Sequence, residues 1–132
     1  MAPIAGKYQH VENVKFFELM KKAGYPEDKA SAADKTRAVV TLTIDGDKVT
    51  TKVEEVGDVV ENHFVLGQES DEKHPGGFVS KTTITKEGDG LKFVSKESGG
   101  KFLTRLYKFT DAGFEVVLNF EGFEAKRIYK RL

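Results

Sequence analysis

Three side chains near the C-terminus have the chemistry to hold an anion. Arg105 lies in KFLTRLYKF, while Arg127 and Tyr129 lie in FEAKRIYKRL, and both stretches alternate as strands do. On that spacing Arg105 shares a face with Leu103, Tyr107 and Phe109, and Arg127 shares one with Phe123, Ala125 and Tyr129. Both faces suit an interior apart from the guanidinium. Burying an unpaired guanidinium is costly, so an inward arginine needs a partner anion or a water network. The inferred inner faces of these late strands hold no carboxylate. A ligand carboxylate could pair with such an arginine through two parallel N–H donors, and a tyrosine hydroxyl could add a third. The competing reading is a shifted register that turns the arginines to water. It is more open for Arg105, because Phe102 and Leu106 compete with Leu103 and Tyr107 for the inside.

Other chemistry finds little support. His10, His63 and His74 are far apart and lack metal-ligand spacing, so scattered surface or strand histidines are expected and no metal site. There is no cysteine for thiolate or disulfide chemistry, and no serine sits in a G-x-S-x-G turn. HPGGF at 74–78 and GDGL at 88–91 lack the lysine and helix start of a phosphate cradle. Glu54–Glu55 and Asp71–Glu72 are neighbours in sequence, so on a strand they point apart, and each pair reads as a solvated strand end or turn. No cofactor and no catalytic residue are expected.

Composition sets the outer limits. The chain has 132 residues, enough for one domain with a real core. Its 21 basic and 21 acidic residues cancel, which argues against nucleic acid as a partner. The start MAPIAGKYQH lacks the apolar run of a signal peptide, and a soluble, cytoplasmic protein is expected.

The elements that would position the arginines are short strands. Turn signals recur at DGD 45–47, KEGDG 86–90, ESGGK 97–101, TDAGF 110–114 and FEGFE 120–124. Between them Val40, Leu42 and Ile44 alternate with threonines, and Phe114, Val116, Leu118 and Phe120 form one face. One region departs from this rhythm. Phe16, Leu19, Met20 and Ala23 make a helical stripe that Gly24 ends, and Pro26 suits the first position of a second helix reaching about Lys35. An antiparallel meander with a helical insert can close into a barrel around a cavity or fold as a solid sandwich, and the pattern leaves both open.

Taken in order, several segments resemble one family over essentially the whole chain. These are GKY at 6–8, Phe16 with ELM at 18–20 and AG at 23–24, DGDKVTTK at 45–52, FVLGQESDE at 64–72, LTRLY at 103–107 and KRIYKRL at 126–132. The chain resembles the intracellular lipid-binding proteins, the fatty-acid- and retinoid-binding group. The resemblance implies an all-β fold: a ten-stranded antiparallel up-and-down β-barrel, a calycin-like β-clam, as a single domain over 1–132 with a helix-turn-helix lid at about 14–36. It implies a non-catalytic carrier of a long-chain fatty acid or similar carboxylate lipid, with the carboxylate on Arg105, Arg127 and Tyr129. Glutamines are common at the arginine positions of retinol-binding members, so two arginines favour an acid over an alcohol. The expected tail contacts are Phe16, Leu19 and Met20 near the lid and Val116, Leu118 and Phe120 along the wall. A monomer is expected, with transient contact to anionic membranes through the basic helical insert. A lipid-modifying enzyme in the same cavity, or a cargo-free interaction barrel, are the alternatives.

This chain also departs from that pattern. His10 replaces a usual aliphatic residue, Lys15 and Phe17 replace an Asn and an acidic residue, KTRAVV lacks a usual Lys-Pro, and Gly57 stands where many members have a portal phenylalanine.

Overall fold

The computed structural model describes residues 4–55, 57–74, 79–96 and 101–132. Most of the HPGGF stretch and of the expected ESGGK turn lies outside them. The chain enters as β1 (Gly6–Val14), then forms two helices, α1 (Phe16–Lys22) and α2 (Glu27–Lys35). A meander follows: β2 (Val39–Asp45), β3 (Lys48–Glu55), β4 (Asp58–Val65), β5 (Glu69–Lys73) and β6 (Val79–Glu87). It continues through β7 (Gly90–Lys96), β8 (Phe102–Thr110), β9 (Gly113–Phe120) and β10 (Phe123–Arg131).

All ten strands belong to one antiparallel sheet in the order β4-β3-β2-β1-β10-β9-β8-β7-β6-β5. That is a nearly closed barrel, and it sets aside the sandwich. The two end strands of the sheet, β4 and β5, are consecutive in the chain. A side chain bridges them. Buried Asn62 of β4 donates to the Lys73 carbonyl at 2.8 Å and accepts from the Lys73 N–H at 2.8 Å. Its carboxamide thus supplies one donor and one acceptor where a neighbouring backbone would.

The strands form for the reason their alternation implies: every second side chain is buried. Val40 and Leu42 face inward on β2, Val49 and Thr51 on β3, and Phe114, Val116, Leu118 and Phe120 on β9. In β8 the contest resolves in favour of Leu103, which is buried, while Phe102 is 57% exposed. At the last hairpin Glu121 and Gly122 take positive φ of 52° and 84°, which fits a tight turn of matching twist.

The helical pair also follows its stripe. Phe16 and Leu19 are buried against β9 and β10. Pro26 sits one position earlier than expected, as the cap of α2, where its carbonyl accepts from the Ala30 N–H at 2.9 Å. Two apolar clusters result. One joins Tyr8, Phe16, Leu19 and Leu42 to the β9 face, and the other gathers Val49, Phe64, Ile84, Leu91 and Phe93.

Candidate ligand-binding site

β9 places the two arginines. It lies between β8 and β10, with Leu118 opposite Arg105 and Val116 opposite Arg127. Both arginines therefore project to the same side as these buried residues. Tyr129, opposite Phe114, stacks on that ring at 4.4 Å with an interplanar angle of 15°.

Beneath the helices and inside the barrel are three adjoining compartments, of about 330, 120 and 130 Å³. Arg127 and His74 line all three. The largest lies against α1 and α2 and is also lined by Phe16, Met20, Tyr25, Thr36 and Glu55. The inner two share Arg105, Tyr107 and Tyr129. Val116 and Leu118 line one of them; Leu19 and Phe120, also expected as cargo contacts, are buried in the same apolar cluster as Phe16, Val116 and Leu118 but do not line these three compartments.

The arginines are in different electrostatic situations. Arg105 is already engaged: its Nη1 donates to Glu72 Oε2 at 3.1 Å, its Nη2 donates to Glu72 Oε1, and Nη2 also reaches Ser95 Oγ at 3.0 Å. Thr82 donates a further bond to Glu72 Oε1 at 2.7 Å. Burial alone would raise the Glu72 carboxyl, but Arg105, His74 and the bonds from Arg105 and Thr82 together hold it below its ordinary value. This corrects the expectation that Asp71–Glu72 is a solvated pair. The two do point apart, Asp71 outward to Lys81 and Glu72 into the barrel.

Arg127 is engaged on one edge only. Its Nε donates to Asn13 Oδ1 at 3.0 Å, and its guanidinium lies over the Phe16 ring at 4.3 Å. Its Nη2 is buried with no hydrogen-bond partner among the described residues. Buried donors are nearly always satisfied, so this one is a cationic N–H group in search of an acceptor.

The polar residues around this pair were less visible in the sequence. Burial pushes the Tyr107 hydroxyl up to about 12, which keeps it neutral beside the arginines. His74 bonds Ser80 Oγ at 2.8 Å, and burial keeps its imidazole below the ordinary value despite nearby Glu72. The inward Tyr8–His10 spacing on β1 was a usable signal for buried His10. Glu72 had only a general signal: an inward arginine needs an anion, and a barrel can bring one from any strand. The remaining histidine, His63, is exposed and paired with Glu61 at 2.9 Å. Among the described residues no group of His, Cys, Asp and Glu could hold a metal.

Comparison with known proteins joins this geometry to a family. The lipocalin / cytosolic fatty-acid binding protein family matches residues 1–117. The chain belongs to this family. A fatty acid-binding protein of Tyrophagus putrescentiae is 30% identical over 99% of each chain, and one of Danio rerio is 31% identical over 96% of each. The shape is shared with solved structures over nearly the whole chain. The Schistosoma mansoni fatty acid binding protein in complex with arachidonic acid superposes with a TM-score of 0.88 at 25% identity, covering 97% of this chain and 95% of that one. The fluorescent protein UnaG superposes with a TM-score of 0.86 at 27% identity, covering 98% and 97%. These family relatives are named as binding or fluorescent proteins and not as enzymes. No helix among the described residues is long and apolar enough to cross a membrane.

Proposed function

We propose that this protein is a non-catalytic intracellular carrier that holds a long-chain fatty acid, or a similar carboxylate lipid, inside its barrel. The observation that carries this reading is the buried Nη2 of Arg127, without a hydrogen-bond partner among the described residues and set where three compartments meet, two of them also lined by Tyr129. A carboxylate there accepts from Arg127 Nη2 and from the Tyr129 hydroxyl. Arg105 forms the next layer; already neutralised by Glu72, it lines the inner compartments as a polar wall more than as a second free charge. The tail runs past Phe16 and Met20 or along Val116 and Leu118. Burying hydrocarbon contributes about 0.8 kcal/mol per methylene, so the tail supplies most of the affinity and the head group sets orientation. The whole chain acts as one domain and as a monomer, with the helical pair as its lid.

The test compares oleate with oleyl alcohol on wild-type protein and on Arg127→Leu. The variant should lose far more affinity for oleate than for the alcohol. Equal losses would remove the head-group role.

The same lid supports a second element of the reading. Lys15, Lys21, Lys22, Lys29, Lys35 and Arg37 are all exposed around the helices that border the largest compartment. Basic groups at an anionic bilayer contribute about 1 kcal/mol each, screened by salt. Transfer of a fluorescent fatty acid to vesicles should therefore quicken with phosphatidylserine content. A rate indifferent to anionic lipid means release through water.

A further inference from the structure

We propose that Asn13 and His10 are positioning residues for the head group, and that a carboxylate docking on Arg127 brings a second proton onto the His10 ring. The inference rests on the carboxylate reading of Arg127 above.

The arrangement begins with an irregularity in β1. Pairing to β10 slips by one residue between His10 and Glu12, so His10 faces Tyr129 while Asn13 faces Arg127. Strict alternation from Tyr8 and His10 would turn Glu12 inward. The bulge gives that place to Asn13 and sets His10 and Asn13 side by side.

Asn13 is then used at both ends of its carboxamide. Oδ1 accepts from Arg127 Nε at 3.0 Å, while Nδ2 donates to the Asp34 backbone oxygen at 2.9 Å and to its carboxylate at 3.1 Å. These partners fix which end is oxygen. A flipped amide would set N–H against N–H at Arg127 and oxygen against two oxygens at Asp34. With Nε held by Asn13, the remaining edge of Arg127, including the unpartnered Nη2, is left for a ligand.

His10 lies against two acceptors. Its Nε2 is 2.6 Å from the same Asn13 Oδ1, and its Nδ1 is 2.8 Å from the carbonyl oxygen of Thr36. A neutral imidazole has one N–H, so one of these contacts opposes lone pair to lone pair. An imidazolium satisfies both. What resists the second proton is burial, since His10 is 1% exposed, and next the positive charge of Arg127.

The charged and titratable neighbours come from every element around the ring. Arg127 and Tyr129 face it from β10, the latter with ring centroids 5.1 Å apart. Arg37 bears on it from the connection to β2, and Asp34 of α2 reaches it through Asn13. Glu55, at the end of β3, bonds Thr36 and feels Arg127, and burial raises its carboxyl. A carboxylate on Arg127 cancels the main charge that resists protonation and leaves both acceptors in place. Proton uptake and carboxylate binding then favour one another, while an alcohol has no charge with which to do the same.

The test uses the full chain, oleate and oleyl alcohol. Calorimetry at neutral pH in buffers of different ionisation enthalpy counts protons taken up, and NMR follows the His10 ring through its titration. Oleate should bind with net proton uptake and move the His10 midpoint upward, whereas oleyl alcohol should do neither. While His10 titrates, affinity for oleate should rise towards lower pH by up to about tenfold per unit, and His10→Gln should flatten that rise. Selective oleate binding with no uptake and an unmoved His10 midpoint overturns this inference and leaves the carboxylate reading intact. No preference for oleate over the alcohol overturns both. Uptake that persists in His10→Gln places the proton elsewhere and also overturns the role of His10. The NMR titration of wild-type protein decides the matter even if the variant folds poorly.

Discussion

Glu72 of β5 and Arg105 of β8 meet inside the barrel as a two-point ion pair, with side chains only 8% and 13% exposed. They are 33 residues apart in the chain, and Ser95 and Thr82 complete the pair with hydroxyl bonds. The two inward arginines are therefore not equivalent. One has a resident carboxylate, and the other has an open edge.

That difference predicts different costs of mutation. Arg105→Leu strands Glu72 in a buried site, and breaking such a pair costs about 3–5 kcal/mol. Glu72→Leu strands Arg105 and should cost a similar amount. Replacing both removes the buried charges together, so urea denaturation of the double variant should show much of the loss recovered. Simple addition of the two single losses would mean that the groups act independently.

Acid should weaken the lipid-free protein in two stages. His10 and His74 are both held below the ordinary value of 6.5, chiefly by burial. Folding disfavours their protonated forms, so the unfolded chain binds protons first. Their contribution is complete above about pH 6.5 and is lost as pH falls through the lower folded values. Glu72, held below 4.5, adds a second loss at more acidic pH. Glu55 has the opposite sign: raised above 4.5, it contributes below that value and loses its contribution as pH rises. The melting temperature should drop on acidification through the histidine window, and less steeply in His74→Gln. A flat profile would contradict the lowered folded values of His10, which is buried, and His74, which is partly buried.

The fold was legible because barrel strands repeat one local rule. Alternation identified the inner face of β9, and the helical stripe identified the buried Phe16 and Leu19. It also turned Arg105 and Arg127 inward without any knowledge of their partners. The partners were harder to see because they depend on closure and on an irregularity. Glu72 reaches Arg105 across the barrel, from a strand that is not its neighbour in the sheet. Asn13 faces Arg127 only because β1 gains a residue after His10, which breaks the period that sequence reading relies on.

The β4–β5 boundary offers a test of the barrel itself. Asn62 satisfies both the N–H and the carbonyl of Lys73. Asn62→Ala leaves those two groups without their bonds and should cost about 1–3 kcal/mol. Hydrogen exchange at the Lys73 amide should quicken more than exchange in β9, which is paired on both sides. Uniform quickening along the chain would mean that Asn62 serves general packing.

Tyr129→Phe separates the ring from its hydroxyl. The ring is 7% exposed, stacks on Phe114 and packs against His10, and phenylalanine keeps that arrangement. Stability should change by less than about 1 kcal/mol, because only one hydroxyl is removed. A hydrogen bond to a charged group is worth about 1.5–3 kcal/mol, so affinity for oleate should fall by roughly tenfold or more. Oleyl alcohol should lose less. Titration of both ligands against the variant decides between head-group donor and packing residue: a matched loss, or none for oleate, assigns Tyr129 to packing and leaves Arg127 as the receptor.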